Sequence, residues 1–352
     1  MKKAWVVAVD MGYGHQRAAF ALRHIAFKGR GITANDYPGI PELDQTLWRQ
    51  TRRVYEFVSK FKKIPVLGDL VFSLMDKVQE IKPFYPKERP LEPPGLQLRT
   101  IYGLMEQKQW GRHLIEKLDE DLIPMVATFP VPALMAEHWG YRGHIYLLVT
   151  DSDAARAWVP MFPKESTIHY CAPSQLVAER LVQYGIAKEN ITLTGFPLPG
   201  EFTEPKGFNQ TKEDLKRRLV RLDPKRKYLT RYADVVRAYL GKVPEKPDGT
   251  PVITFAVGGA GAQQTLGKQI IQRLASLLKK RKVKLLMVAA THEDAASSFK
   301  ETAKQHGLFG KEVEVVFCKS KEEYFKKFTE VLRATDILWT KPSELSFYAA
   351  LG

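Results

Sequence analysis

A histidine just beyond a glycine turn, at the end of a hydrophobic strand, is the most chemically suggestive feature of the chain. In WVVAVDMGYGHQRAA, Trp5 to Val9 reads as a buried parallel strand that stops at Asp10. Gly12 and Gly14 follow, and a helix-forming segment runs from Gln16 to Ile25. Glycines there let the backbone turn sharply and bring the first amides of the next helix close to a ligand. His15 then stands at the mouth of the first strand, the side of an open α/β sheet where ligands bind. An ordinary strand–turn–helix with a surface histidine accounts for the same residues, and both readings stay open.

Two further clusters have the same placement. The strand His144 to Val149 runs into Thr150-Asp151-Ser152-Asp153, again polar residues at a strand's C-terminal end, although a solvated turn is the plain alternative. The strand VITFAV, Val252 to Val257, meets GGAGAQQ, in which Gly258, Gly259 and Gly261 form a second glycine turn before a helix. Other kinds of chemistry lack their patterns. The remaining histidines show no metal-ligand spacing. No serine nucleophile elbow and no P-loop lysine is present.

The elements that must position these residues alternate as strand and helix. Ile32 to Tyr37 is a second strand, and Leu122 to Thr128, Ser166 to Cys171 and Ile191 to Thr194 are further ones. A helix from Ser174 to Tyr184 closes at Gly185. Residues 38–110 interrupt the series. There Leu47, Val54, Val58 and Phe61 recur at offsets of seven, four and three on one helical face. Arg49, Arg52, Arg53, Lys60, Lys62 and Lys63 surround them, with Trp48, Tyr55 and Phe57 interleaved. That mixture suits a helix lying on an anionic membrane surface; a packed helix with a solvated basic back fits it too. KPFYPKERPLEPPG, 82–95, reads as a loop, mobile over a cleft.

Residues 204–250 are highly charged and read as a linker with one or two helices. The expected domains are therefore 1–203 and 251–352, each an α/β, Rossmann-like, doubly wound unit facing a cleft. The second domain ends on a half-helix and is expected to lack its usual last elements.

Among 352 residues, 54 Lys and Arg against 39 Asp and Glu give a net charge of +15, so a polyanionic neighbour is expected. No stretch is apolar enough to span a membrane and no secretory signal is visible, so a cytoplasmic location is expected, peripheral on a membrane's inner face if the basic helix docks there. Cys171 and Cys318 make no disulfide framework.

The ordered set DMGYGHQRAA, TDSDAARAWVP, LTGFPLP, VGGAGA and TKPSELSFYAALG resembles the GT-B glycosyltransferases. Among them it is most similar to the monogalactosyldiacylglycerol synthases, the processive diacylglycerol glucosyltransferases and the peptidoglycan N-acetylglucosaminyltransferase. The resemblance implies an N-terminal acceptor domain and a C-terminal domain for a nucleotide-sugar, with a UDP-sugar as substrate and no cofactor or metal. Gly12, Gly14 and His15 match the family's acceptor loop, where a histidine near neutrality can take the acceptor's proton. Asp151 matches an aspartate close to the cleft. Gly258, Gly259 and Gly261 match the turn that approaches the donor diphosphate, and Lys341, Pro342, Ser343 and Glu344 fall where the family lines diphosphate and sugar.

Two positions depart from the pattern. Ala155 stands where relatives carry a histidine, and Ala349 where they place a glutamate near the ribose. The expected activity is inverting transfer of a sugar to a lipid or membrane-associated acceptor, with no nucleic-acid partner. A non-catalytic nucleotide- or sugar-binding protein and a nucleotide-sugar 2-epimerase remain the alternatives.

Overall fold

The computed structural model describes residues 3–61, 81–88, 90–258, 263–340 and 343–352, with the backbone course alone for 54–61. Two units divide between Pro197 and Leu198. Each is built on a wholly parallel sheet, the α/β, doubly wound architecture that the alternation of strands and helices predicts.

In the first unit the strands are β1 (Trp5–Ala8), β2 (Ile32–Thr33), β3 (Met125–Ala127), β4 (Ile145–Leu148), β5 (His169–Ala172) and β6 (Ile191–Leu193). They lie in the order β2-β1-β3-β4-β5-β6. Strand β1 shows why its run is apolar at every position. Trp5, Val7 and Val9 enter the larger core with Met125, Leu147 and Tyr170, whereas Val6 and Ala8 pack on the opposite face with Ala19 and Ala26.

Strand β2 is shorter than the expected Ile32 to Tyr37. Ala34 still donates to Ala8 O, but Asn35 turns its side-chain oxygen onto the Asp10 amide and Asp36 closes a turn onto Thr33 O. Helix α1 spans Tyr13–Ala21, earlier at both ends than Gln16 to Ile25. Gly12, at φ 140°, makes the turn alone, so Gly14 lies inside the first helical turn and not in the loop.

Helix α2 spans Glu42–Phe61. Its first half belongs to the core: Leu47 and Trp48 are buried, and Trp48 meets Trp110 edge-on at 4.7 Å. Trp48 is thus not one of the exposed aromatics the basic pattern suggested. The Pro-rich segment is irregular, as expected, but it is tied down. Arg156 donates to Glu92 O at 2.9 Å, Gln183 to Phe84 O at 2.9 Å, and Lys87 pairs with Glu179 at 2.6 Å.

The second unit carries β7 (Val252–Ala256), β8 (Lys284–Ala290), β9 (Val313–Phe317) and β10 (Ile337–Trp339), ordered β10-β7-β8-β9. Phe255, Leu285 and Met287 face Ile270, Ile271 and Phe299 in one core. Gly267 is required there, because a Cβ would lie 2.4 Å from the Phe299 ring.

The charged stretch 204–250 is largely helical and fastened to this unit. From helix Pro205–Leu222, the buried Arg218 guanidinium donates to Thr335 O, Leu351 O and Gly352 O. Asp214, also buried, pairs with Arg333 at 2.8 Å and with Arg217. Asp214 and Arg218, which read as part of a solvated linker, are thus internal staples of this unit, and the division falls before them. The final segment, Glu344–Leu351, is a 3-10 helix.

Candidate functional site

Each sheet reverses its strand order once. In the first unit the chain runs from β1 to β2 at one side and then to β3 at the other, so the switch lies between β1 and β3. In the second it lies between β7 and β10. Crevices for ligands open outside the carboxyl ends of strands at such points. Among the described residues, His15 and Asp151 in the first unit and Gly258 and Ser343 in the second stand near these strand ends.

In the first unit, His15 is the third residue of α1 and leans toward the end of β3. Its Nδ1 lies 2.9 Å from Thr128 O and 2.8 Å from Thr150 Oγ1. A carbonyl oxygen only accepts, so Nδ1 carries the hydrogen, and the lone pair of the neutral ring is on Nε2. Thr128 and Thr150 are both buried, just past β3 and β4. The imidazole meets Phe129 edge-on at 4.6 Å and lies 6.1 Å from the Trp158 ring. The ends of two strands, β3 and β4, therefore fix one ring.

Asp151 follows Thr150, and its Oδ2 accepts from Trp158 Nε1 at 3.0 Å. Trp158 thus borders both predicted residues. Asp153 does something different: the buried Arg180 guanidinium grips both its oxygens at 3.0 and 2.9 Å, a structural pair. Ala155 opens the turn Arg156–Trp158 that brings Trp158 into place.

Asp10, at the end of β1, joins the same rim. Its Oδ1 accepts from Gln16 Nε2 at 3.0 Å, and Gln16 also donates to Gly12 O at 3.0 Å, which pins the glycine turn. Arg52 reaches Asp10 Oδ2 at 3.7 Å. One of the six proposed membrane contacts is therefore turned toward the rim. Arg49 donates to Gln45 on its own helix, and Arg53 is exposed. The Lys60 side chain, Lys62 and Lys63 lie outside what is described. Residue types alone do not single out Asp10, Thr128 or Trp158; Asp10 and Thr128 stand at adjacent strand ends, a signal that could find them, whereas Trp158 sits in the 3-10 turn after β4 and has none.

In the second unit, Gly258 follows β7 and donates its amide to Gln263 Oε1 at 3.3 Å, just before helix Gln264–Lys279. Gly259 and Gly261 lie outside the described residues, as do Lys341 and Pro342. Beyond β10, Ser343 caps the final 3-10 helix in a reciprocal pair with Ser346, and Glu344 is its first residue. Gly258 and Ser343 thus flank the β7/β10 switch. Ala349 is exposed on that helix. Among the described residues, no three His, Cys, Asp or Glu side chains gather as a metal site, and no helix is long and apolar enough to cross a membrane.

Residues 246–350 match the model of a domain of unknown function, DUF6938. No curated protein matches the chain. Among solved structures, UDP-GlcNAc 2-epimerase from Methanocaldococcus jannaschii is similar at 11% identity, over 96% of this chain and 78% of that one, with a TM-score of 0.38. A structure of that enzyme with UDP-GlcNAc and UDP gives 11%, 100% and 82%, with a TM-score of 0.38. Alpha,alpha-trehalose 6-phosphate synthase from Burkholderia multivorans gives 11%, 97% and 78%, with a TM-score of 0.40. These scores are too low to argue from, and the fold class rests on the two parallel sheets themselves.

Proposed function

We propose that the chain is a glycosyltransferase that moves a sugar from a nucleotide-sugar, a UDP-sugar by the sequence resemblance, to an acceptor hydroxyl. The observation that supports this best is the pinned imidazole of His15. With Nδ1 committed to Thr128 O, Nε2 is the basic atom, so the ring suits proton abstraction by a general base. In the step, Nε2 takes the acceptor's proton as its oxygen bonds the anomeric carbon. The anomeric C–O bond breaks, and its electron pair leaves on the diphosphate. Within the second unit, the N-terminus of helix Gln264–Lys279 has the dipole to favour a bound diphosphate. The lipid nature of the acceptor rests on the resemblance alone.

The test uses the purified chain and its His15→Gln variant with a panel of nucleotide-sugars. One nucleotide should raise the melting temperature of both proteins, because His15 lies outside the donor site in this reading. Nucleotide release with a hydroxyl acceptor should fall by about 100-fold or more in the variant. Undiminished turnover in His15→Gln overturns the base assignment. Binding without turnover across the panel favours the non-catalytic alternative.

A further inference from the structure

Helices Lys227–Arg231 and Ala233–Leu240 run almost as one, since Tyr232 N donates to Tyr228 O and Val236 N to Tyr232 O, both at 2.9 Å. One stripe of this rod, Leu229, Val236 and Leu240, packs on Val220 and Val243. A second stripe, Tyr228, Tyr232, Val235 and Tyr239, recurs at offsets of four, three and four and faces water. Tyr239 is 74% exposed, Val235 54%, Tyr228 47% and Tyr232 41%. The first two tyrosine rings stand 4.8 Å apart, and Arg231 lies 5.7 Å over the Tyr232 ring. An aromatic stripe left in water on a helix whose core face is already buried marks an interaction surface.

The charges beside the stripe select the partner. Lys225, Lys227, Arg231 and Lys242 are exposed around it, and from Pro224 to Leu240 the only carboxylate is Asp234. Arg226 does not count, because it is committed to Pro244 O and Glu245 O. Lys227 and Arg231, one turn apart, run along one edge of the stripe. We propose that this face docks on an anionic phospholipid bilayer. Tyrosine, an apolar ring with a polar tip, suits the headgroup level, and basic residues at the edge meet the negative surface. Val235, in the middle of the stripe, favours lipid over a polynucleotide, since an aliphatic side chain neither stacks on a base nor reads its edge. The proposal stands on this surface alone and is independent of the reaction above.

The test is co-sedimentation of the whole chain with vesicles of phosphatidylcholine, with and without phosphatidylserine, alongside a labelled oligothymidylate. Val235→Asp and the pair Lys227→Glu and Arg231→Glu change exposed positions, and unchanged melting temperatures establish that the variants fold. The chain should bind the phosphatidylserine vesicles and not pure phosphatidylcholine. The charge-reversed pair should bind about 25-fold more weakly or worse, at roughly fivefold for each basic residue. Val235→Asp should also weaken binding. Absence of phosphatidylserine binding, binding that neither variant changes, or tighter binding to the oligothymidylate overturns the proposal.

Discussion

Arg156 offers the most informative single perturbation. Its guanidinium is buried and donates to Glu92 O at 2.9 Å and to Val159 O and Pro160 O at 3.0 Å each. Hydrogen bonds from a charged group contribute about 1.5–3 kcal/mol each, so three are worth roughly 4–9 kcal/mol before the charge's own desolvation. That desolvation is real here, because burial lowers the pKa of Arg156 below its ordinary value. Subtracting several kcal/mol for it leaves a net contribution of about 2–4 kcal/mol. Arg156→Met should therefore lower the stability of the first unit by that amount. With a urea slope of about 1–3 kcal/mol per molar, the midpoint should fall by roughly 1–2 M. Tryptophan fluorescence suits the assay, since five of the six tryptophans, Trp5, Trp48, Trp110, Trp139 and Trp158, lie in this unit. Trypsin should also cleave faster after Lys87 once the Glu92 tie is gone. Arg156→Lys, which keeps the charge but not the fork, should recover only part of the loss. A midpoint shift below about 0.3 M, with unchanged cleavage, would show that Arg156 does not hold the Pro-rich segment.

Two further outcomes are expected. Gly267→Ala forces a methyl against the Phe299 ring and should destabilise the second unit by about 1–3 kcal/mol, read by hydrogen exchange across β7 and β8. Burial raises the Asp44 carboxyl above its ordinary range, against the Gly111 amide and His113, which pull it down. The folded chain then holds that proton to higher pH than the unfolded chain. This contribution is complete below the ordinary carboxylate pKa and is lost as pH rises through the raised value. Asp44→Asn keeps an acceptor for Gly111 and removes the titration. Its melting temperature relative to the parent should therefore rise from acid to neutral pH, and a flat difference would count against the burial argument.

The strands were legible because a parallel sheet between two layers demands apolar residues on both faces, and VITFAV and KLLMVAA answer that demand locally. What escaped depended on partners remote in sequence. Trp48 looks like an exposed aromatic until Trp110 is set beside it, and Arg52 like a lipid contact until Asp10 is. Arg218 and Asp214 read as solvated because the carbonyl of Thr335 and the side chain of Arg333 are more than a hundred residues away. At the candidate site, the glycine turn and His15 were visible as residue types. The switch points that give them meaning emerge only once the strand order is known.

The hold on His15 has a consequence for how such a site can drift. Its Nδ1 partner is the main-chain oxygen of residue 128, which substitution at that position leaves in place. A Thr128→Ala or Thr128→Ser replacement changes a side chain yet preserves the acceptor that sets the tautomer. The proton inventory of the ring is thus inherited with the path of β3, and sequences that diverge widely around it could still keep the same basic nitrogen.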